Sequence, residues 1–200
     1  VRDHGRLYLT IAIAMVDRFV SSQHRYFETK EEIRQNVFAN VAPRLCANDE
    51  LVVDINTLDD PDRGDEGMYL TVTGTSAESG DGGEVGRGNA VNGLISLSRP
   101  TSNEAAAGKN TSCHVGNIYN HLSHAIAAQI VETIPPVRES YVWLCSQIGQ
   151  PVCEPISTLV RLVLEDDVQA EEVADKVNAI VSERLHRLKS APVSAGDLSA

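Results

Sequence analysis

Residues 74–114 read GTSAESGDGGEVGRGNAVNGLISLSRPTSNEAAAGKNTSCH. Eight of the chain's 14 glycines fall here. The charged residues are Glu78, Asp81, Glu84, Arg87, Arg99, Glu104 and Lys109, and large apolar residues are sparse. A segment this long without helix or strand periodicity is uncommon inside a compact domain, and is usually functional or disordered. It is too varied for a Gly/Ser linker. It separates two regions whose apolar residues do keep a period, so it sets how the chain divides.

Upstream, Leu7, Leu9, Ile11 and Ile13 alternate with Tyr8, Thr10, Ala12 and Ala14. That alternation predicts a strand over 7–16 with two fairly apolar faces. Thr29 and Glu32 have the spacing of a capping box and predict a helix start. Ile33, Val37 and Val41 continue it at helical spacing, and Pro43 should end it. A second strand is expected over 51–56 and a third over 68–73. Between them LDDPDRGDEG reads as a turn-rich loop. Its acidic residues Asp59, Asp60, Asp62, Asp65 and Glu66 lack EF-hand spacing and read as solvated.

Downstream, Val115, Ile118, Leu122, Ile126 and Ile130 form one helical face, closed by Pro135 and Pro136. Strands are expected over 137–147 and 156–164, the first with Tyr141, Trp143 and Cys145 on one face. Asp166 and Asp167 are expected at the start of a last amphipathic helix, where negative charge is favoured. The order is β-α-β-β, glycine-rich segment, α-β-β-α. It predicts the α+β class: layered, largely antiparallel sheets with helices packed on one face. The expected units are 1–111, which includes the glycine-rich loop 74–111, and 112–190, followed by a flexible tail over 191–200.

A length of 200 residues fits one large domain or two small ones, with enough chain to bury a core. A net charge of −11 argues against a sequence-independent grip on nucleic acid. There is no apolar run of the ~18 residues that a membrane span needs, and no secretory signal pattern. Cys46, Cys113, Cys145 and Cys153 show no CxxC spacing. They are expected as free thiols in a reducing compartment, the cytoplasm. The chain opens on Val1, beside a strand-like run, and is expected to be a trimmed fragment.

The stretch SGDGGEVGRGN sets five glycines, Gly80 and Gly86 among them, around Asp81 and Arg87. Glycines let backbone N–H groups approach a ligand and turn through positive φ. Successive N–H groups in such turns form anion nests. Arg87 adds a planar fork of donors that suits phosphate. Asp81 suits a ribose hydroxyl or an ammonium group. Lys109 follows Gly108 and precedes a helix start, which favours anions. Neither the Walker A pattern nor the dinucleotide fingerprint is present. Two readings stand: a phosphate or nucleotide site, or a long surface hairpin whose glycines only satisfy turns. His114, His121 and His124 do not make an evident metal ligand set. His114 is kept as a polar ligand contact.

The stretch VTGTSAESGDGGEVGRGNAVNGLISLSRPTSNEAAAGKNTSCHVGNIYN, residues 72–120, resembles the signature region of the archaeal-type methionine adenosyltransferases, or S-adenosylmethionine synthetases. LTIAIAMVD (9–17), VDINTLDDPDRG (53–64) and LCSQIGQPVCEP (144–155) resemble segments of that family in the same order. The resemblance implies formation of S-adenosylmethionine from ATP and methionine, with release of phosphate and diphosphate. It implies Mg2+ and K+ as cofactors and three similar α+β units per subunit. It also implies a homodimer or larger homo-oligomer with its active site between two subunits.

By motif, Asp81 resembles the carboxylate on methionine or ribose, with Gly80 and Gly86 lining the same substrate. Arg87 and Lys109 resemble catalytic cations on the triphosphate, and His114 is a looser match. No metal ligand is assigned. Gly88 stands where the bacterial and eukaryotic branch carries a basic residue, a difference shared by the archaeal-type branch. Only the C-terminal half of the family is resembled, without the GHPD-type segment. The chain is therefore expected to hold part of a site and to be inactive alone. The alternatives are a non-catalytic nucleotide-binding or regulatory partner subunit, and a scaffold whose loop has lost its ligand.

Overall fold

Asn56 decides how the first half of the chain is built. In the computed structural model, which describes residues 2–3, 5–74, 90–102 and 106–189, its side chain takes over the backbone groups of Ile13. The Ile13 N–H donates to Asn56 Oδ1 at 2.7 Å, and Asn56 Nδ2 donates to the Ile13 carbonyl at 3.0 Å. With those groups spent, the strand expected over 7–16 breaks in two: β2 (Arg6–Ile11) and β3 (Met15–Val16).

β2 pairs antiparallel with β1 (Arg2–Asp3) and parallel with β4 (Glu50–Ile55), in register from Arg6↔Glu50 to Ile11↔Ile55. β3 pairs parallel with β5 (Leu70–Thr71). The expectation of largely antiparallel pairing is thus not met in this half. The reason is the connection: β2 and β4 are joined through α1 (Gln23–Val41), and a helical crossover of this length brings strands together parallel. The third strand expected over 68–73 shrinks to the two paired residues of β5.

α1 starts earlier than the Thr29–Glu32 spacing predicts. Ser22 is its N-cap, and the Ser22 side chain accepts from the Arg25 N–H at 3.2 Å. The Thr29 hydroxyl instead donates back to the Arg25 carbonyl at 2.8 Å, the usual outlet for a mid-helix threonine. After Val41 a 3-10 turn, Ala42–Arg44, contains Pro43 and ends the element. The acidic loop folds as 3-10 turns over Pro61–Gly67. A Cβ on Gly67 would sit 1.8 Å from the Asp60 carbonyl oxygen, so only glycine allows the Asp60 N–H to reach the Gly67 carbonyl at 2.8 Å.

By contacts the chain divides into two compact units. The first takes the described residues of 1–80 with Gln147–Gly149, and the second takes the remainder. In the second, α2 (Val115–Thr133) and α3 (Ala170–Arg187) pack on one face of the antiparallel hairpin β6 (Val137–Cys145) and β7 (Ser157–Leu164). Leu122, Ile126, Ile130 and Ile134 from the α2 segment meet Val173, Val177, Ile180 and Val181 of α3. Val142, Leu144, Val160 and Leu162 of the hairpin close the core from the sheet side. Trp143 lies opposite Leu159, and both are exposed.

α3 does not start on Asp166 and Asp167. Asp167 occupies a positive-φ turn position at 73°, and the helix is capped by Gln169 in a capping box with Glu172. Negative charge at the helix start comes from Glu171 and Glu172. Among the described residues no helix is long and apolar enough to cross a membrane. All four cysteines are free thiols.

Candidate functional site

Two of the residues read from the sequence as site residues, Lys109 and His114, are described; Gly80, Asp81, Gly86 and Arg87 lie outside the described residues. Lys109 closes a tight turn at the foot of α2. Its N–H donates to the Ala106 carbonyl at 3.2 Å, and Gly108 takes φ 77° inside the turn. The next residues form an Asx turn: Asn110 Oδ1 accepts from the N–H of Ser112 at 2.9 Å and of Cys113 at 3.1 Å. His114 is the N-cap of α2, and its Nδ1 accepts from the Gly116 N–H at 3.0 Å. That bond needs Nδ1 without its proton, so this ring nitrogen is committed to the helix and not to a ligand.

Asn117, which the sequence reading missed, ties these pieces together. It is buried in the first turn of α2, and its Nδ2 donates to the carbonyls of Ala106 at 3.0 Å and Lys109 at 3.5 Å. An asparagine at helical spacing looks like any first-turn polar residue, so only the fold reveals it. Beside the cap lies a cleft of about 270 Å³, lined by His114, Gly116, Tyr119, Asn120 and Trp143 among others. The Tyr119 hydroxyl donates to the Val152 carbonyl at 2.8 Å, and burial pushes its pKa up to about 12. A lysine mounted on a fixed turn beside a helix N-terminus can hold an anion of high charge density.

The first unit has a second polar centre, where β2 and β4 end. Tyr26 is fully buried, and its hydroxyl donates to Asp59 Oδ2 at 2.9 Å. The Tyr26 hydroxyl oxygen in turn accepts from Asn56 Nδ2 at 2.9 Å and from the Tyr69 N–H at 3.0 Å. Burial pushes the Tyr26 phenol above its ordinary pKa. Lys30 Nζ donates to Asp59 Oδ2 at 2.8 Å and to the Asn56 carbonyl at 3.0 Å. Asp59 is therefore a buried partner of a lysine and a tyrosine, and not part of a solvated acidic loop as its neighbours suggest. A cleft of about 430 Å³ opens beside this network, lined by Thr10, Asn56, Asp59, Arg63, Glu66 and Tyr69 among others.

The described residues contain no cluster of three histidine, cysteine or carboxylate side chains able to hold a metal ion. His114, His121 and His124 are not such a group.

The sequence profile of the S-adenosylmethionine synthetase (AdoMet synthetase) family matches residues 1–194. The chain belongs to the S-adenosylmethionine synthetase family. It is 43% identical over 190 residues to the S-adenosylmethionine synthase of Methanothermobacter thermautotrophicus, covering 95% of this chain and 47% of that protein. It is 45% identical over 182 residues to the S-adenosylmethionine synthase of Methanobrevibacter smithii, covering 90% and 45%. It is 46% identical over 180 residues to the one from Pyrococcus horikoshii, covering 90% and 44%. The chain thus spans about half the length of these curated relatives. As a member of the synthetase family, it carries Lys109 on the turn described above, within residues 72–120.

Proposed function

We propose that the complete protein carrying this chain is a methionine adenosyltransferase. It joins ATP and methionine into S-adenosylmethionine and releases phosphate and diphosphate. The observation that carries this proposal is the 43–46% identity to proteins named S-adenosylmethionine synthase over at least 90% of this chain. The methionine sulfur attacks C5′ of the ribose, the C5′–O bond breaks, and its electron pair leaves with the triphosphate. No covalent nucleophile is required of the protein. Rate comes from alignment of the two substrates and from donors placed where negative charge grows on the leaving oxygen.

In this scheme Arg87 and Lys109 hold the triphosphate. Asp81, Gly80 and Gly86 contact methionine or ribose, and His114, whose Nδ1 caps α2, is a further polar contact to the substrate. The support for Lys109 is physical as well as familial: its backbone is held by Ala106 and by Asn117 in the first turn of α2. Mg2+ and K+ belong to the family expectation. Among the described residues no group of three histidine, cysteine or carboxylate side chains is placed to hold a metal ion, and no metal ligand is assigned here. A three-unit subunit, a homodimer and a cytoplasmic location are part of the same proposal. The test is to assay the complete protein for S-adenosylmethionine formation, alongside Lys109→Ala. Wild-type turnover that falls in the variant supports the proposal; a folded protein that consumes no methionine overturns it.

A further inference from the structure

Asn117 is 4% exposed, and its side-chain amide is only half used. Nδ2 donates to the carbonyls of Ala106 and Lys109, while Oδ1 is buried with no hydrogen-bond partner. A buried acceptor left without a donor costs about 1–3 kcal/mol. A leucine of similar shape would fill the same space without that cost. Packing alone therefore does not account for an amide here. What the amide adds is its two N–H bonds, and both end on the turn that carries Lys109.

That turn needs holding. Gly108, at φ 77°, widens the conformations open to the unfolded loop, and a backbone bond from Lys109 to Ala106 closes the turn. Asn117 adds two ties from α2, so the Cα of Lys109 moves with the helix. A lysine ammonium is a point charge on a long flexible stem. Fixing its root narrows the volume that the charge can sample.

We propose that Asn117 is a positioning residue that mounts Lys109 for a polyphosphate, acting through the turn and not by touching the ligand. The identity of the anion rests on the function proposed above.

The experiment is a double-mutant cycle on the complete protein, reading affinity for inorganic tripolyphosphate by calorimetry. The four proteins are wild type, Asn117→Leu, Lys109→Ala and the double variant. Each single change should weaken binding on the order of 10-fold. The double variant should bind no worse than Lys109→Ala alone, because without the ammonium the mount has nothing to aim. Circular dichroism and melting curves report the fold, so that affinities are compared between folded proteins. Wild-type affinity in Asn117→Leu, or losses that multiply in the double variant, overturns the proposal. If Asn117→Leu does not fold, Asn117→Ser, too short to reach both carbonyls, replaces it in the same cycle. Tripolyphosphate binding that obeys the cycle in a protein making no S-adenosylmethionine would sink the proposed function and leave this inference standing. Turnover with a multiplicative cycle would do the reverse.

Discussion

Asn56 and Ile13 exchange two hydrogen bonds, side chain to backbone, across 43 residues of sequence. Asn56 also stands at φ 43°, a left-handed conformation that asparagine tolerates better than most residues. The one side chain therefore ends β4, breaks the first strand and supports the Tyr26 hydroxyl. Asn56→Ala should remove the partners of the Ile13 N–H and carbonyl and one of the three partners of the Tyr26 hydroxyl, and destabilise the fold by roughly 2 kcal/mol or more. Asn56→Gly, which accepts the backbone angle but makes none of the bonds, should lose nearly as much. Urea unfolding of the three proteins checks this; a loss confined to Asn56→Ala would assign the effect to backbone strain instead.

Ser22 and Thr29 compete as the start of α1, and the hydrogen bond to Arg25 N–H decides for Ser22. Ser22→Ala should cost about 1 kcal/mol. Thr29→Ala should be close to neutral, since its hydroxyl only returns to a carbonyl already in the helix ladder. Thermal melts of the two variants separate them, and a larger loss at Thr29 would contradict the assigned cap.

These cases show where the sequence was legible. α2, the β6–β7 hairpin and α3 were readable because each carries one apolar face at a steady period over many residues, and each packs with near neighbours. The break after β2 was not readable, because its cause lies at Asn56, far along the chain. The parallel pairing of β2 with β4 was implied by the helix between them, yet the class expectation of antiparallel sheets overrode it. At the candidate site, Lys109 stood out from its Gly-Lys setting ahead of a helix. Asn117 did not, since its role lies in the carbonyls it reaches and not in its spacing. Asp59 was hidden by the acidic residues around it, because burial of one carboxylate among five leaves no mark in composition.

Tyr119 gives a test in alkaline solution. Its folded-state pKa, about 12, lies above the ordinary 10.0 because the ring is buried. A raised pKa means that the folded state keeps its proton longer than the unfolded state. The linked stability is therefore fully present below pH 10 and is lost as pH rises from 10 towards 12. Tyr119→Phe should show a shallower fall of stability over that window, after allowance for the lost bond to Val152. Denaturant midpoints measured across the window check this, and parallel curves for the two proteins would contradict it.

Arg87 is proposed to act only as charge develops on the departing triphosphate. In the complete protein, Arg87→Ala should lower kcat by on the order of 10²–10³, and more than it raises KM for methionine. Arg87→Lys should recover part of the rate, because one ammonium does not reproduce a two-pronged contact. Steady-state kinetics with melting curves alongside check this. A near wild-type kcat in folded Arg87→Ala would reject the role.

The most direct measurement is product analysis of the complete protein given ATP, methionine, Mg2+ and K+. The account predicts one S-adenosylmethionine formed for each ATP consumed, with phosphate and diphosphate appearing together. Folded protein that leaves ATP intact, or splits it without forming S-adenosylmethionine, would contradict it.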